Sequence, residues 1–325
     1  MVCVYITGGN AGLGRAIAEA FSNEGATIGL IARDEAALQE TISSLPGKSG
    51  YAVADVSDAS ALSEAVSKLQ SCLGKPDIWV NNAMATVFSR FEDTAPEEFA
   101  RVAEVTFLGS VYGLQEALRS MKPRGTGHLI QIGSALSYRA IPLQAPYCAS
   151  KLAIRGAVDS LRCELEHDRS PLTLTAIHMP AMNTPQFDWA RRHIAEHPQP
   201  VPPIYTPHAC AKAVLYSSKH PHLREIWVGQ PTLAAILGNK FMPGLMDHYM
   251  ARNAFDAQFE TPAHTLDEEG NLFSPVHGPH AAEGRFHSRQ KDEVIWIGTS
   301  ARREIALFFC LGLLACLTVA LLITV

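Results

Sequence analysis

The chain has 325 residues, 47% of them hydrophobic, with 27 basic and 32 acidic side chains and a formal net charge of -5. That balance supports a large folded core and excludes a disordered chain, a collagen-like chain and a disulfide-stapled mini-protein. It also gives no bulk attraction to nucleic acid. The seven cysteines, Cys3, Cys72, Cys148, Cys163, Cys210, Cys310 and Cys316, are odd in number and form no CxxC pair. Such scatter argues for reduced thiols facing a cytosol, not for a disulfide framework or a zinc site.

Residues 2–9, VCVYITGG, predict a strand that breaks into a glycine turn, and 10–25 predict an amphipathic helix. Strands are then expected at 26–33, 51–58, 77–85, 128–135, 172–179 and 224–229. Helices are expected at 34–45, 59–73, 95–121, 147–167 and 208–218. Continuous apolar strands alternating with helices predict an α/β fold, a doubly wound parallel sheet covered on both faces. The organisation expected is a Rossmann-type domain over 1–230 and a partly irregular extension over 231–304. The remainder, 305–325, reads IALFFCLGLLACLTVALLITV without a charge.

At about 1.5 Å per residue, a helix of that length just crosses a hydrocarbon core of roughly 30 Å. Arg302 and Arg303 precede the run. By the positive-inside rule they would hold the rest of the chain on the cytoplasmic side. A single-pass membrane tail anchor is the expectation.

Two patterns carry chemistry. The first turn reads Thr7-Gly8-Gly9-Asn10-Ala11-Gly12-Leu13-Gly14. Glycines between a strand and a helix let the backbone approach a pyrophosphate, which rests on the unpaired N–H groups of the helix start. Thr7, Gly8, Asn10, Gly12, Leu13 and Gly14 are the candidate contacts. The second pattern is Tyr147-Cys148-Ala149-Ser150-Lys151, with Ser134 thirteen residues before the tyrosine. Tyr147 and Lys151 lie one helical turn apart on one face, so the ammonium can favour the phenolate and make Tyr147 a general acid/base. Ser134, at a strand's carboxyl end, can donate to a substrate carbonyl oxygen.

Together, in this order and spacing, these residues resemble the classical short-chain dehydrogenase/reductase family over roughly 1–230. The resemblance implies about seven parallel strands binding NAD(H) or NADP(H). It gives Tyr147 the proton transfer, Lys151 the nicotinamide ribose and Ser134 the reacting oxygen. Asp55 and Val56 match the adenine contacts, Asn81-Asn82-Ala83 the strand-four motif beside the cofactor, and Thr184 the carboxamide contact. It also implies homo-oligomers paired through the helices 95–121 and 147–167. Three positions depart from the pattern. Met84 stands where a glycine is usual, Thr106 falls at the asparagine of the catalytic tetrad, and Pro180-Ala181 replaces Pro-Gly.

Ala32 removes the acid that NAD-preferring members place at the end of the second strand. Arg33 beside it can pair with a 2′-phosphate, so NADP(H) is expected ahead of NAD(H); the alternative is that Arg33 stacks on adenine and Asp34 supplies the acid. His193-Ile194-Ala195-Glu196-His197 spells a zinc-peptidase HxxEH pattern, yet Pro198 cuts it short. It reads as a solvated or substrate-covering helix. His277, His280 and His287 lack regular ligand spacing, and no metal is expected. Phe187, Trp189 and Tyr205 flank the variable segment and either line an apolar pocket or pack in the core. The reading that follows is a membrane-tethered, NADP(H)-dependent oxidoreductase acting on a small carbonyl or alcohol, lipophilic substrates included. The alternative is a non-catalytic cofactor-binding scaffold or redox sensor.

Overall fold

A computed structural model describes residues 2–260, 270–276 and 280–300. Seven parallel strands form the sheet: β1 (Cys3–Thr7), β2 (Thr27–Ala32), β3 (Ser49–Val53), β4 (Ile78–Asn81), β5 (His128–Ser134), β6 (Thr173–Met179) and β7 (Glu225–Val228). An eighth, β8 (Trp296–Thr299), pairs antiparallel with β7. The order is β8-β7-β6-β5-β4-β1-β2-β3. Connections start outward from β1 in both directions, which is the doubly wound arrangement the alternation predicted.

Side chains alternate across each strand, and both faces are buried. Val4, Ile6, Ile28 and Leu30 pack on one side against Ile17 and Phe21 of α1 (Gly12–Asn23). Tyr5 and Trp79 pack on the other, against Leu62 of α3 (Ala59–Leu73) and Leu114 of α5 (Gly109–Met121). Helix starts follow ordinary capping chemistry. Asp34 accepts from Ala37 N at 3.0 Å to open α2 (Glu35–Ser44), and Asp58 accepts from Ser60 N and Ala61 N at 2.9 and 3.0 Å to open α3.

The helix expected over 95–121 is interrupted. α4 (Pro96–Ala103) passes into a π turn over Glu104–Leu108 before α5 begins. Thr106 sits in that turn, fully buried, and its hydroxyl accepts from Ala85 N at 2.9 Å and donates to Ala85 O at 3.1 Å. The π turn thereby ties the helix to the loop after β4. Past α6 (Ala145–His167) and α7 (Pro207–Lys219) come two further helices, α8 (Gln230–Phe241) and α9 (Pro243–Asn253).

The helix expected across the HxxEH pattern does not form. Arg191–Arg192 and His197–Pro198 are short strands, paired with 87–88 and 259–260. Pro198 and these pairings favour extended backbone, and the imidazoles part company. His193 meets Glu98 at 2.7 Å, while His197 meets Arg285 at 2.6 Å. The run 305–325 lies outside the described residues. No helix among the described residues is long and apolar enough to cross a membrane.

Thr106 supplies a measurable test of the π turn. Thr106→Val keeps the shape but leaves the Ala85 N–H and C=O without their partner, which costs about 1–3 kcal/mol. Denaturant unfolding should show the unfolding free energy reduced by that amount, read as a lower midpoint with an unchanged slope.

Candidate active site

In a parallel sheet covered on both faces, every strand ends at the same edge, and a cleft opens there between diverging helices. Here that cleft has a volume of about 240 Å³. Its lining falls just beyond the strand ends: Gly8 after β1, Arg33 after β2, Ala54 and Asp55 after β3, Asn82 and Ala83 after β4, and Pro180 after β6.

The floor at β1 is a glycine cradle. Gly12 adopts φ +56, and a Cβ on Gly14 would lie 2.0 Å from Gly8 O. Only glycine lets α1 come this close to the turn. Ala11 provides no side-chain cap, so the α1 amides at Leu13 and beyond face the cleft. A helix start of this kind attracts anions. Thr7 is not a lining residue; its Oγ1 accepts from Asn82 N at 3.0 Å and Ala83 N at 3.2 Å, locking β4 to the turn. Asn81 is buried beneath the site. It accepts from Trp79 Nε1 at 2.8 Å and donates to Ser110 O at 2.8 Å. Its neighbour Asn82 lines the cleft instead and donates to Thr7 O and Gly8 O.

Ser134, Tyr147 and Lys151 converge at the opposite end of the cleft. Ser134 closes β5 and its Oγ accepts from Leu136 N at 3.1 Å. Pro146 stands in the first turn of α6, which then presents Tyr147 and Lys151 one turn apart. The Ser134 hydroxyl lies near enough to the Tyr147 phenol to favour its ionised form. Lys151 is 2% exposed, and its Nζ donates to Ile132 O at 2.9 Å and sits 5.6 Å from the Tyr147 ring centre.

Burial dominates the electrostatics here. It holds the Tyr147 phenol above its usual range against the smaller opposing effect of the Ser134 hydroxyl. It pulls the Lys151 ammonium down to about 8. The sequence argument placed weight on the cation lowering the phenol; in this cleft desolvation outweighs it. Tyr147 is therefore a proton-bearing phenol at neutral pH. Thr106, bound to Ala85, is not part of the lining.

Val56 and Thr184 line the cleft. Asp55 does too, but its carboxylate is engaged. Burial would raise it, yet bonds from Arg101 and Ser57 hold it below the ordinary carboxylate range. Arg33 points to the backbone carbonyls of Asn271, Leu272 and Phe273, at 2.6, 3.3 and 3.3 Å. Asn271, Pro275, Val276 and His280, all from beyond residue 230, complete this wall. Asp34 and Asn82 also line the cleft, and sequence reasoning missed Asn271 and the place of His280 in this wall. His280 stands 3.2 Å from Asp34 across 246 positions, a separation that leaves no local pattern. His287 pairs with Glu283 instead, and His277 lies outside the described residues. Trp189 lines the cleft, Phe187 packs between Phe88 and Phe286, and Tyr205 is buried in the core.

A sequence profile of the short chain dehydrogenases matches residues 2–194. The chain belongs to that family. It is 30% identical over 282 residues to the uncharacterized oxidoreductase YxnA of Bacillus subtilis, covering 85% of this chain and 79% of that one. It is 29% identical over 195 residues to 3-dehydrosphinganine reductase of Danio rerio, covering 57% of each. Among the curated relatives it matches, the chain spans from 35% to 79% of their length. A solved short-chain relative, an alcohol dehydrogenase from the archaeon Thermococcus sibiricus complexed with 5-hydroxy-NADP, aligns with TM-score 0.58 and 27% identity over 70% of this chain and 95% of its own. This short-chain dehydrogenase therefore has oxidoreductase relatives and a nicotinamide-binding structural neighbour.

The depressed Lys151 has a pH signature. Between about pH 8 and 10 the native lysine is largely neutral while the unfolded one keeps its proton. The unfolded state then binds more protons, so stability rises with pH across that window. Above it the raised Tyr147 reverses the slope, because the native phenol retains a proton the unfolded one loses. Denaturant unfolding from pH 7 to 10 should show the rise in the native chain and a flatter profile in Lys151→Met.

Proposed function

We propose that this protein interconverts a carbonyl and an alcohol with a nicotinamide dinucleotide, and that NADP(H) gains Arg33 as partner for its 2′-phosphate once that guanidinium is released from the carbonyls of Asn271, Leu272 and Phe273. The observation that carries the reading is the meeting of Ser134, Tyr147 and Lys151 at one end of a cleft whose other end is a glycine cradle under an uncapped helix. The cradle fits a dinucleotide: Gly8, Asn10, Gly12 and Leu13 would hold the pyrophosphate, Val56 and Arg33 the adenosine, and Lys151 and Thr184 the nicotinamide half. Hydride exchange with the substrate carbon is the chemistry the nicotinamide supplies when bound.

The protein's own part is to hold and move a proton. Tyr147 Oη carries it, and its elevated pKa keeps the phenol protonated and ready to donate to a carbonyl oxygen. Ser134 Oγ steadies the same oxygen by hydrogen bonding. Lys151, buried with its Nζ on Ile132 O, keeps a fixed donor beside the phenol. Around them Met84, Val105, Met179 and Met182 form an apolar surround that excludes water and suits a lipophilic substrate. The alternative, a scaffold that binds cofactor without turnover, draws on Met84 in the lining and on Thr106 bound to Ala85 away from it; the meeting of Ser134, Tyr147 and Lys151 at one end of the cleft weighs against it.

Consumption of NADPH with a panel of ketones and aldehydes tests this reading. Tyr147→Phe should lower the rate about 10²–10⁴-fold with cofactor affinity retained. Tight NADPH binding with no turnover on any carbonyl would replace the enzyme by the scaffold.

The uncharged run 305–325 is proposed to tether the protein to a membrane, with the preceding residues cytoplasmic and the long helices α5 and α6 pairing copies of the chain. Leu314→Arg places a charge mid-run and should cost about 2.5–3.5 kcal/mol of insertion. Cell fractionation should then find the variant shifted from the membrane pellet to the supernatant; an unmoved distribution removes the tether from the proposal.

A further inference from the structure

Residues 270–276 form a strap on one rim of the adenosine half of the cleft, and 280–286 are held on the other rim. On one rim Leu272 is fully buried among Ile31, Val56, Val102 and Val105. Its carbonyl accepts from Arg101 Nε at 3.2 Å. Asn271 N donates to Trp189 O at 2.8 Å. On the other rim His280 pairs with Asp34 at 3.2 Å, and its carbonyl accepts from Arg15 at 3.0 Å. Ala281 O accepts from Gly12 N at 3.1 Å, within the glycine cradle itself.

The contact that matters is at Arg33. Its Nη2 donates to Asn271 O at 2.6 Å, and its Nη1 donates to Leu272 O and Phe273 O, each at 3.3 Å. Arg33 follows β2 by one residue and Gly14 by nineteen, the place where a dinucleotide fold binds the ribose 2′-position. A 2′-phosphate is gripped by both guanidinium nitrogens at once. Those are the two nitrogens the strap already holds. The three carbonyl oxygens also present partial negative charge to an arriving phosphate, and Asp34 and Asp55 flank them. A 2′-hydroxyl meets neither obstacle, since it can donate to a carbonyl left in place.

We infer that the strap carbonyls of Asn271, Leu272 and Phe273 compete with the 2′-phosphate for Arg33 and so set the choice between dinucleotides. NADP(H) binds by exchanging them for its phosphate and releasing the strap; NAD(H) binds with the strap closed. The inference rests on reading the cleft as a dinucleotide site.

Hydrogen–deuterium exchange on the full chain, with NADPH and NADH each at saturation, reads this directly. NADPH should raise exchange at the strap amides over 270–276, and NADH should leave it unchanged or lower. Titration of Leu272→Ala, whose loosened strap competes less, should show NADPH bound about fivefold to thirtyfold more tightly and NADH unaltered. The exchange experiment needs no variant, so it stands if Leu272→Ala does not fold. Strap exchange lowered alike by both dinucleotides would overturn the inference and leave the cleft reading intact, the strap then being a fixed roof. Binding of neither dinucleotide would overturn the cleft reading, and the inference with it.

Discussion

The close approach of helix α1 to the glycine turn fixes the rest of the site. The Gly8 carbonyl lies where a side chain at residue 14 would begin. With the helix seated so close, its first amides open onto the edge of the sheet where the strands end. Thr7 then pins β4 to the same turn, and β5 follows β4 in register through Ile78–Asn81 and His128–Gln131. The position of Ser134 is thus inherited, strand by strand, from a contact about a whole cleft away. One missing Cβ organises the pyrophosphate cradle and, through the sheet, the acid/base end.

At that acid/base end, the decisive quantity is water. Tyr147 and Lys151 are both buried, and burial moves their proton affinities in opposite directions, each toward the neutral form. A neutral phenol beside a cation held on only moderately firm terms is a poised pair: small changes in the charge of whatever fills the cleft shift both groups. The polar bed beneath, with Asn81, Gln131 and Ser110 bonded to one another, is fully satisfied and holds the floor rigid.

Much of this was legible in the sequence because its signals are local. The glycine turn and the Tyr147–Lys151 spacing are each read within a dozen residues, and the alternation of apolar strands with helices gave the doubly wound class. Other features depend on partners far along the chain. Nothing near Arg33 shows that its guanidinium meets carbonyls 238 to 240 positions away. Asn81 and Asn82 are adjacent and chemically identical, yet the pleat turns one into the core and the other into the cleft. Thr106 reads as a substitute for an asparagine; its short hydroxyl reaches only the Ala85 backbone. His193 and His197 fit a helical ligand pattern until strand pairing with 87–88 and 259–260 draws the segment straight.

The strand β8 runs against its neighbours, and its direction has a protective effect. Without it, β7 would be the outermost strand, presenting bare N–H and C=O groups beside the apolar Ile226 and Val228. An open edge of that kind is a template for pairing with other chains. The chain thus returns after α9 to cover the β7 margin of the sheet, β3 forming the opposite edge. A protein shortened ahead of Trp296 would keep every residue named in the acid/base set, and would nevertheless be prone to associate edge to edge.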